Sequence, residues 1–299
     1  MGLVSLAGVT DELWCVKNGN KQVPQKLLEA SSAKVLLTTD VKLIAKDDQN
    51  PDKNVIIYQT GDDNEVKDSF DYVIIGFPLY KGVIGDEFKL DFDTADQFNY
   101  LEMQLTNTYL IYGTVKLFSN LPTNKHINLH SVDPYIPYRT VCVQLPCDYS
   151  KKEDAELYLD KGDKFYKIFS EKELDENVFS RIFMKNYQLV EQMPWLAYPK
   201  YKVNPETKVI PDVILDGIDR SRVFYLNSLE WSSSCMEICS ISARNVTLLV
   251  CNKEKNLKPK RKKYLSQKHS DSKFYSYLHK ICGVTTILIL GSFFLSVYF

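Results

Sequence analysis

Few residues in this chain of 299 amino acids have the type and spacing that acid–base or metal chemistry requires. The four histidines are His126 and His130 in a polar segment and His269 and His279 in a basic one, and none belongs to a GxSxG or HExxH pattern. The seven cysteines form no CxxC pair and have no histidine nearby. The sequence therefore predicts no metal site, disfavours a Ser/His/Asp hydrolase or a zinc enzyme, and identifies no catalytic residue.

A polar turn links a predicted strand to a predicted helix that begins with a run of serines. The strand covers 222–226, the turn 227–230 and the helix 232–251. Serine hydroxyls can cap the first amides of such a helix, and its first turn carries the positive end of the helix dipole. The turn itself holds one acidic residue, Glu230.

The elements that precede this turn are typical of an α/β fold. A short helix at 25–30 is followed by predicted strands at 34–45 and 54–60. The apolar run 70–78 ends in Gly-Phe-Pro. Such a continuous run is typical of a strand buried on both faces of a parallel sheet between helix layers.

The middle of the chain has a different character. Strands predicted at 106–117, 140–145 and 164–169 look antiparallel, and a Ser-x-x-Glu capping box at 170–173 follows them. The helix that this box begins has an apolar face of three residues: Leu174, Val178 and Ile182. We interpret this region as an inserted α+β substrate domain.

The last part of the chain combines a basic segment with an apolar tail. Residues 253–280 contain nine lysines and one arginine against two acidic residues, which favours attraction to anionic lipid over a nuclear signal or nucleic-acid binding. Residues 281–299 carry no charge, and a helix of that length spans about 28 Å, close to the hydrocarbon thickness of a bilayer. We predict a transmembrane tail anchor or a GPI-attachment signal with small residues at 270–272.

Four short segments carry a resemblance to a known family. Residues 13–21 are LWCVKNGNK, 194–201 are PWLAYPKY, 224–230 are FYLNSLE and 234–237 are SCME. They are similar to Leu-Trp-x-Val-x-Gly-Gly-Asn-Lys, Pro-Trp-Leu-Ala-Tyr-Pro-x-Tyr, Tyr-Tyr-Leu-Asn-Gly-Ile-Glu and Ala-Met-Glu of the prenylcysteine oxidase (prenylcysteine lyase) family. This family lies within the flavin amine-oxidase superfamily. The resemblance covers residues 3–250 and is weaker between 83 and 165.

The resemblance implies a partial FAD/NAD(P)-binding fold, with FAD as the cofactor. A late strand, turn and helix close the cofactor site in that superfamily, because helix amides face the pyrophosphate and an acidic residue accepts hydrogen bonds from cofactor hydroxyls. Six residues are the implied cofactor contacts: Gly19, Asn20, Glu230, Ser232, Ser233 and Ser234.

The implied enzyme is an oxidoreductase that cleaves the thioether of prenylcysteine with oxygen, giving cysteine, a prenyl aldehyde and hydrogen peroxide. Its substrate would carry a farnesyl or geranylgeranyl chain in an apolar trough. Trp195, Tyr198 and Tyr201 are the candidates for contact with flavin and substrate, and an aromatic cluster that only fills a domain junction is the alternative. The implied location is membrane-associated, endomembrane or lysosomal. The sequon at 245–247 is weak support for a glycoprotein, since it lies on a predicted helix.

Two departures from the family pattern affect these expectations. A strand followed by GxGxxG is absent from the 299 residues, so the N-terminal dinucleotide-binding part is missing. In addition, Asn18 and Ser228 replace family glycines, and a side chain resists positive φ. Either the chain is part of a longer enzyme, which we favour, or it is a non-catalytic, membrane-tethered prenyl-binding relative that has lost FAD binding.

The predicted organisation follows from these segments. It has five parts: a partial FAD-binding domain at 1–82, a substrate domain at 83–194, a return to the FAD-binding domain at 195–252, a basic linker at 253–280, and a transmembrane helix or GPI-type signal at 281–299.

Overall fold

A computed structural model describes eight stretches of the chain: residues 16–61, 64–85, 88–116, 128–131, 133–148, 152–200, 210–257 and 286–289. The chain divides into two compact units. Unit 1 contains Val23–Glu102 and the described residues of Tyr201–Phe299, and unit 2 contains Met103–Lys200 and the described residues of Trp14–Gln22. The domain boundaries predicted at 82/83 and 194/195 stay predictions.

The described residues form twelve strands, four α-helices and two 3-10 helices. The strands are β1 Thr39–Lys46, β2 Asn54–Thr60, β3 Glu65–Phe70, β4 Tyr72–Ile75, β5 Lys89–Leu90, β6 Met103–Gly113, β7 Asn128–His130, β8 Thr140–Val143, β9 Lys164–Ser170, β10 Gln188–Pro199, β11 Val223–Tyr225 and β12 Thr286–Ile289. The α-helices are α1 Gln22–Ser31, α2 Lys152–Leu159, α3 Glu176–Ile182 and α4 Met236–Leu257, and 3-10 helices cover Asp93–Tyr100 and Leu226–Trp231. This mixed α/β content agrees with the predicted fold class.

Unit 1 contains a four-stranded sheet in the order β3-β2-β1-β5. β1 and β2 pair antiparallel, which confirms the two strands predicted in this region. The sequence does not predict β3, because its residues EVKDSF contain no apolar run and are mostly exposed. α1 confirms the short helix predicted at 25–30, although it begins three residues earlier.

A second sheet of unit 1 is parallel and has the order β11-β4-β12. All four residues of β4 and all three of β11 are buried. Val246 of α4 packs against Tyr72 and Phe224 in this core. The apolar run at 70–78 is therefore the buried parallel strand that the sequence predicts, and α4 supplies a helix layer against it.

The apolar tail forms a strand where it is described. Thr286–Ile289 pairs in parallel with β4, from Thr286 opposite Tyr72 to Ile289 opposite Ile75. The predicted C-terminal hydrophobic helix over 281–299 is therefore not supported. The segment Thr-Ile-Leu-Ile is rich in β-branched residues, which favour strands, and β4 offers it a parallel edge. The remainder of 281–299 lies outside the described residues. Among the helices that are described, none combines the length and apolar character that crossing a bilayer requires.

Unit 2 is built on a five-stranded antiparallel sheet in the order β10-β6-β9-β8-β7. This arrangement confirms the strands predicted in the middle of the chain. One face of the sheet packs with α3 and its flanking residues into a core: Tyr109, Ile111, Val141, Tyr166, Ile168, Leu174, Phe179, Ile182 and Phe183. The sequence does not predict β10, whose prolines at 194 and 199 are tolerated because β10 is an edge strand.

The predicted capping box at 170–173 is wrong. Ser170 ends β9, where it pairs with Asn107, and its hydroxyl donates to the carbonyl of Lys172. The N-cap of α3 is Asp175, whose carboxylate accepts a hydrogen bond from the amide of Val178 at 3.0 Å. Continuation of the sheet ladder to Ser170 therefore moves the helix start five residues towards the carboxyl terminus.

Candidate functional site

The predicted turn at 227–230 is part of the 3-10 helix Leu226–Trp231, which leads from β11 towards α4. Four of its residues are buried although three of them are polar or charged: Asn227, Ser228, Glu230 and Trp231. The hydroxyl of Ser228 donates to the carbonyl of Pro211 at 2.5 Å. Ser228 does not have a positive φ, so replacing the family glycine with serine strains nothing here. The end of the parallel strand β11 thus presents a buried polar cluster.

The carboxylate of Glu230 is the centre of this cluster and is only 8% exposed. The side-chain amide of Asn227 donates to Oε2, and the thiol of Cys239 donates to Oε1 at 2.8 Å. Burial raises the pKa of Cys239, and the nearby Glu230 carboxylate raises it further. The thiol therefore stays protonated and remains a hydrogen-bond donor to Glu230.

Asn227 has an unused hydrogen-bonding atom in this cluster. Its Oδ1 is buried and has no hydrogen-bond partner in the described part of the chain. Rotating the amide by half a turn would place that oxygen against the Glu230 carboxylate, so the observed orientation is favoured. A buried acceptor without a donor costs about 1–3 kcal/mol. A hydroxyl group on a bound molecule would satisfy it, so the cluster suits the sugar or ribityl part of a nucleotide cofactor.

The predicted serine amides are partly engaged within the chain. The amides of Ser232 and Ser233 both donate to the carbonyl of Leu229, at 3.0 and 3.3 Å. α4 begins at Met236, four residues later than the helix start predicted at Ser232, which is instead the C-cap of the 3-10 helix Leu226–Trp231. Contact of Ser232, Ser233 and Ser234 with a cofactor stays a prediction.

Tyr225 fixes the turn against the segment that follows β4. Its hydroxyl accepts hydrogen bonds from the amide of Leu79 at 3.0 Å and from Nε1 of Trp231 at 3.2 Å. Its ring meets that of Phe98 edge-on, with the centroids 5.2 Å apart. Burial raises the pKa of Tyr225. The sequence identifies Glu230 as a site residue but not Asn227, Tyr225 or Cys239. Of these three, only Asn227 could have been found from its position as a polar residue just after an apolar strand.

Gly19 and Asn20 lie in a turn that belongs to unit 2. Asn18 has a φ of 65° and Gly19 a φ of 98°, so this position accepts asparagine in place of glycine. Oδ1 of Asn20 accepts a hydrogen bond from the amide of Val16 at 3.3 Å. Their contact with FAD stays a prediction.

Residues 194–199 of the aromatic motif lie on β10. Nε1 of Trp195 donates to the hydroxyl of Thr108 on β6 at 2.8 Å. The rings of Trp195 and Tyr198 are 6.2 Å apart, and Tyr198 is 47% exposed. These two candidates therefore lie together, whereas Tyr201 lies outside the described residues.

The side chain of Trp195 lies on the second face of the unit 2 sheet, opposite the packed core. Ladder pairing places Tyr112 beside Phe165 and Leu110 beside Lys167, and the Tyr112 and Phe165 ring centroids are 5.0 Å apart. We call this surface the aromatic face, which has seven residues: Leu110, Tyr112, Cys142, Phe165, Lys167, Phe169 and Trp195. These seven side chains are apolar apart from the Lys167 ammonium group and the Tyr112 hydroxyl, and the ladders also place Thr108, Thr140 and Glu191 on this face. The face remains partly exposed.

Comparisons with known proteins identify the family of this chain. The family model described as prenylcysteine lyase matches residues 1–260. The chain therefore belongs to the prenylcysteine lyase family, which confirms the resemblance carried by the four sequence segments.

The relatives that match are named as enzymes. Prenylcysteine oxidase 1 of Homo sapiens is 31% identical over 261 residues, and the mouse protein is 30% identical over 262 residues; each alignment covers 83% of this chain and 49% of the relative. Farnesylcysteine lyase of Arabidopsis thaliana is 26% identical over 282 residues, which are 91% of this chain and 49% of the relative. The chain spans about half the length of the curated relatives it matches. None of these names supports the non-catalytic alternative.

Proposed function

We propose that this chain is part of an FAD-dependent oxidase that cleaves the thioether of prenylcysteine. The observation that carries the proposal is the family match over residues 1–260. In the balanced reaction, prenylcysteine, oxygen and water give cysteine, a prenyl aldehyde and hydrogen peroxide. The bond between sulfur and the prenyl carbon breaks, water supplies the aldehyde oxygen, and two electrons pass from that carbon to oxygen.

The buried cluster of unit 1 fits the cofactor part of this proposal. FAD, when bound, supplies the acceptor for hydride from the carbon beside sulfur. Oδ1 of Asn227 would accept a hydrogen bond from a cofactor hydroxyl, because it is buried without a donor. Glu230 would accept further hydrogen bonds, since each carboxylate oxygen has a second lone pair beyond those used by Asn227 and Cys239. Cys239 and Tyr225 hold the turn in this geometry.

The aromatic face of unit 2 fits the substrate part. An isoprenoid chain is long and apolar and can lie along a row of rings. Removing it from water is favourable by about 25 cal/mol per Å² of buried apolar area. Trp195 and Tyr198 extend this surface along β10. We assign these residues to binding and orienting the substrate, and no proton-transfer role is assigned to any residue.

The protein purified from its own cells, in whatever length it is made there, tests the proposal. The expected result is the two-banded absorbance of oxidised flavin, with farnesylcysteine converted to equal amounts of free thiol, farnesal and hydrogen peroxide. A folded protein that carries no flavin and leaves farnesylcysteine unchanged would overturn the proposal. An endomembrane or lysosomal location stays a prediction, which imaging of the tagged full chain would check.

A further inference from the structure

Lys167 is the one cation on the aromatic face. It lies on β9, the middle strand of the sheet, between Leu110 of β6 and Cys142 of β8. Phe165 and Phe169 precede and follow it on the same face, because side chains two apart on a strand point in the same direction. Its Nζ lies 5.2 Å from the centroid of the Phe169 ring.

This ammonium group has no acidic partner within the chain as described. None of the ion pairs found there includes Lys167. Glu191 shares its row of the sheet, but β6 lies between their strands. Burial lowers the pKa of Lys167. A partly desolvated charge is costly unless it is paired, and contact with an aromatic ring compensates only in part.

We propose that Lys167 binds the α-carboxylate of the prenylcysteine substrate, while the surrounding rings hold its isoprenoid chain. This inference rests on the proposed function. The substrate is an amphiphile with a long apolar chain and a charged amino-acid head, and the aromatic face has the matching composition of several apolar side chains and a single positive charge. The carboxylate would supply the counter-charge that the described residues do not provide.

If Lys167 binds the carboxylate, a good substrate must carry a negative charge on its amino-acid head. Farnesylcysteine methyl ester keeps the isoprenoid, the thioether and the amine but has no negative charge. If Lys167 binds the carboxylate, the protein should prefer farnesylcysteine over its methyl ester, and that preference should depend on the charge at position 167. A lysine that served only as packing would give the same loss for both compounds.

The test compares four forms of the protein purified from cells: wild type, Lys167→Met, Lys167→Arg and Lys172→Met. Lys172 is an exposed lysine five residues away and serves as the matched control. KM and kcat are measured for both compounds, and binding is measured by calorimetry. We expect Lys167→Met to raise KM and Kd for farnesylcysteine about tenfold or more, the loss expected for a hydrogen bond to a charged group. The same variant should change the values for the methyl ester by less than about threefold.

The remaining variants distinguish a role of the Lys167 charge from a role in packing alone. Lys167→Arg should retain the preference for the acid, and Lys172→Met should behave as wild type. If Lys167→Met does not fold by circular dichroism, Lys167→Gln takes its place in the same comparison. Equal KM and Kd changes for both compounds would overturn the inference while leaving the proposed function intact. A wild-type protein that oxidises neither compound would instead overturn the proposed function.

Discussion

The buried turn of unit 1 and the aromatic face of unit 2 differ in how their polar groups are satisfied. In the turn, Glu230 and Ser228 have partners within the chain, and one atom, Oδ1 of Asn227, has none in the described residues. On the aromatic face, apolar side chains surround the ammonium group of Lys167, which has no acidic partner among the residues that the structure describes. A satisfied polar group indicates a scaffold, whereas unused hydrogen-bonding capacity in a buried place indicates a ligand. The first region therefore suits a hydroxyl-rich cofactor, and the second suits an amphiphilic substrate.

The largest predicted effect is a difference in the free energy of unfolding between substitutions on the two faces of the unit 2 sheet. Phe179 is 3% exposed and packs edge-on against Tyr109, so Phe179→Ala should lower the free energy of unfolding by about 3–5 kcal/mol. Phe165 is 38% exposed, so Phe165→Ala should cost only about 1–2 kcal/mol while raising KM for farnesylcysteine. Urea unfolding of both variants checks this. Equal losses of stability would show that the aromatic face is a second packed core.

The next effect concerns the carboxylate of the turn. Glu230→Gln should weaken FAD binding about tenfold or more, because a neutral amide oxygen accepts weaker hydrogen bonds than a carboxylate. Glu237→Gln is the matched control, since Glu237 is exposed in the first turn of α4. The flavin-to-protein ratio after gel filtration measures the effect. Unchanged flavin content in Glu230→Gln would remove the turn from the cofactor site.

A smaller effect tests how the turn is held in place. Tyr225→Phe removes the acceptor for the amide of Leu79 and the indole of Trp231, so it should lower the free energy of unfolding by about 1–3 kcal/mol. Tyr112→Phe, on the partly exposed aromatic face, should change it by less than about 0.5 kcal/mol. Thermal unfolding followed by circular dichroism compares the two. If both hydroxyls contribute equally, Tyr225 does not anchor the turn.

The smallest effect is a pH dependence at the start of α3. The hydrogen bond from the amide of Val178 lowers the pKa of Asp175 in the folded protein. Its contribution to stability is therefore present above the ordinary pKa of an aspartate and is lost as the pH falls through the lowered folded value. Asp175→Asn keeps a capping oxygen without the charge, so its unfolding midpoint in urea should fall less steeply in acid than that of wild type. Identical pH profiles would contradict the assignment of Asp175 as an ionised cap.

The sequence predicts β2, β4 and β9 closely, since each combines apolar and β-branched residues in a run with clear ends. It does not predict β3 or β10, because edge strands carry charged residues and prolines that do not give an apolar pattern. It also assigns a helix to 281–299, where Thr286–Ile289 pairs with β4. Hydropathy alone cannot separate an apolar helix from an apolar strand that finds a partner edge.

For the candidate site, the sequence identifies the turn but not its geometry. Glu230 and Trp195 are recognisable from motifs, whereas the unused Oδ1 of Asn227 depends on how the Asn227 amide is oriented in a three-dimensional cluster. Lys167 could have been found from the alternation of Phe165, Lys167 and Phe169 along one strand. That no described acidic residue pairs with Lys167 could be found only from the sheet register, which places Cys142 and Leu110 at its sides.

The central claim is that the turn of unit 1 binds the cofactor and the aromatic face of unit 2 binds the substrate. Measuring flavin content and farnesylcysteine affinity in parallel, on Asn227→Leu and Lys167→Met, tests this claim most directly. We predict that Asn227→Leu loses flavin while still binding farnesylcysteine, because it removes the cofactor's acceptor and leaves the aromatic face unchanged. Lys167→Met should keep its flavin and lose affinity for farnesylcysteine. A result in which either variant loses both properties in a folded protein, or in which neither property changes, would contradict the account.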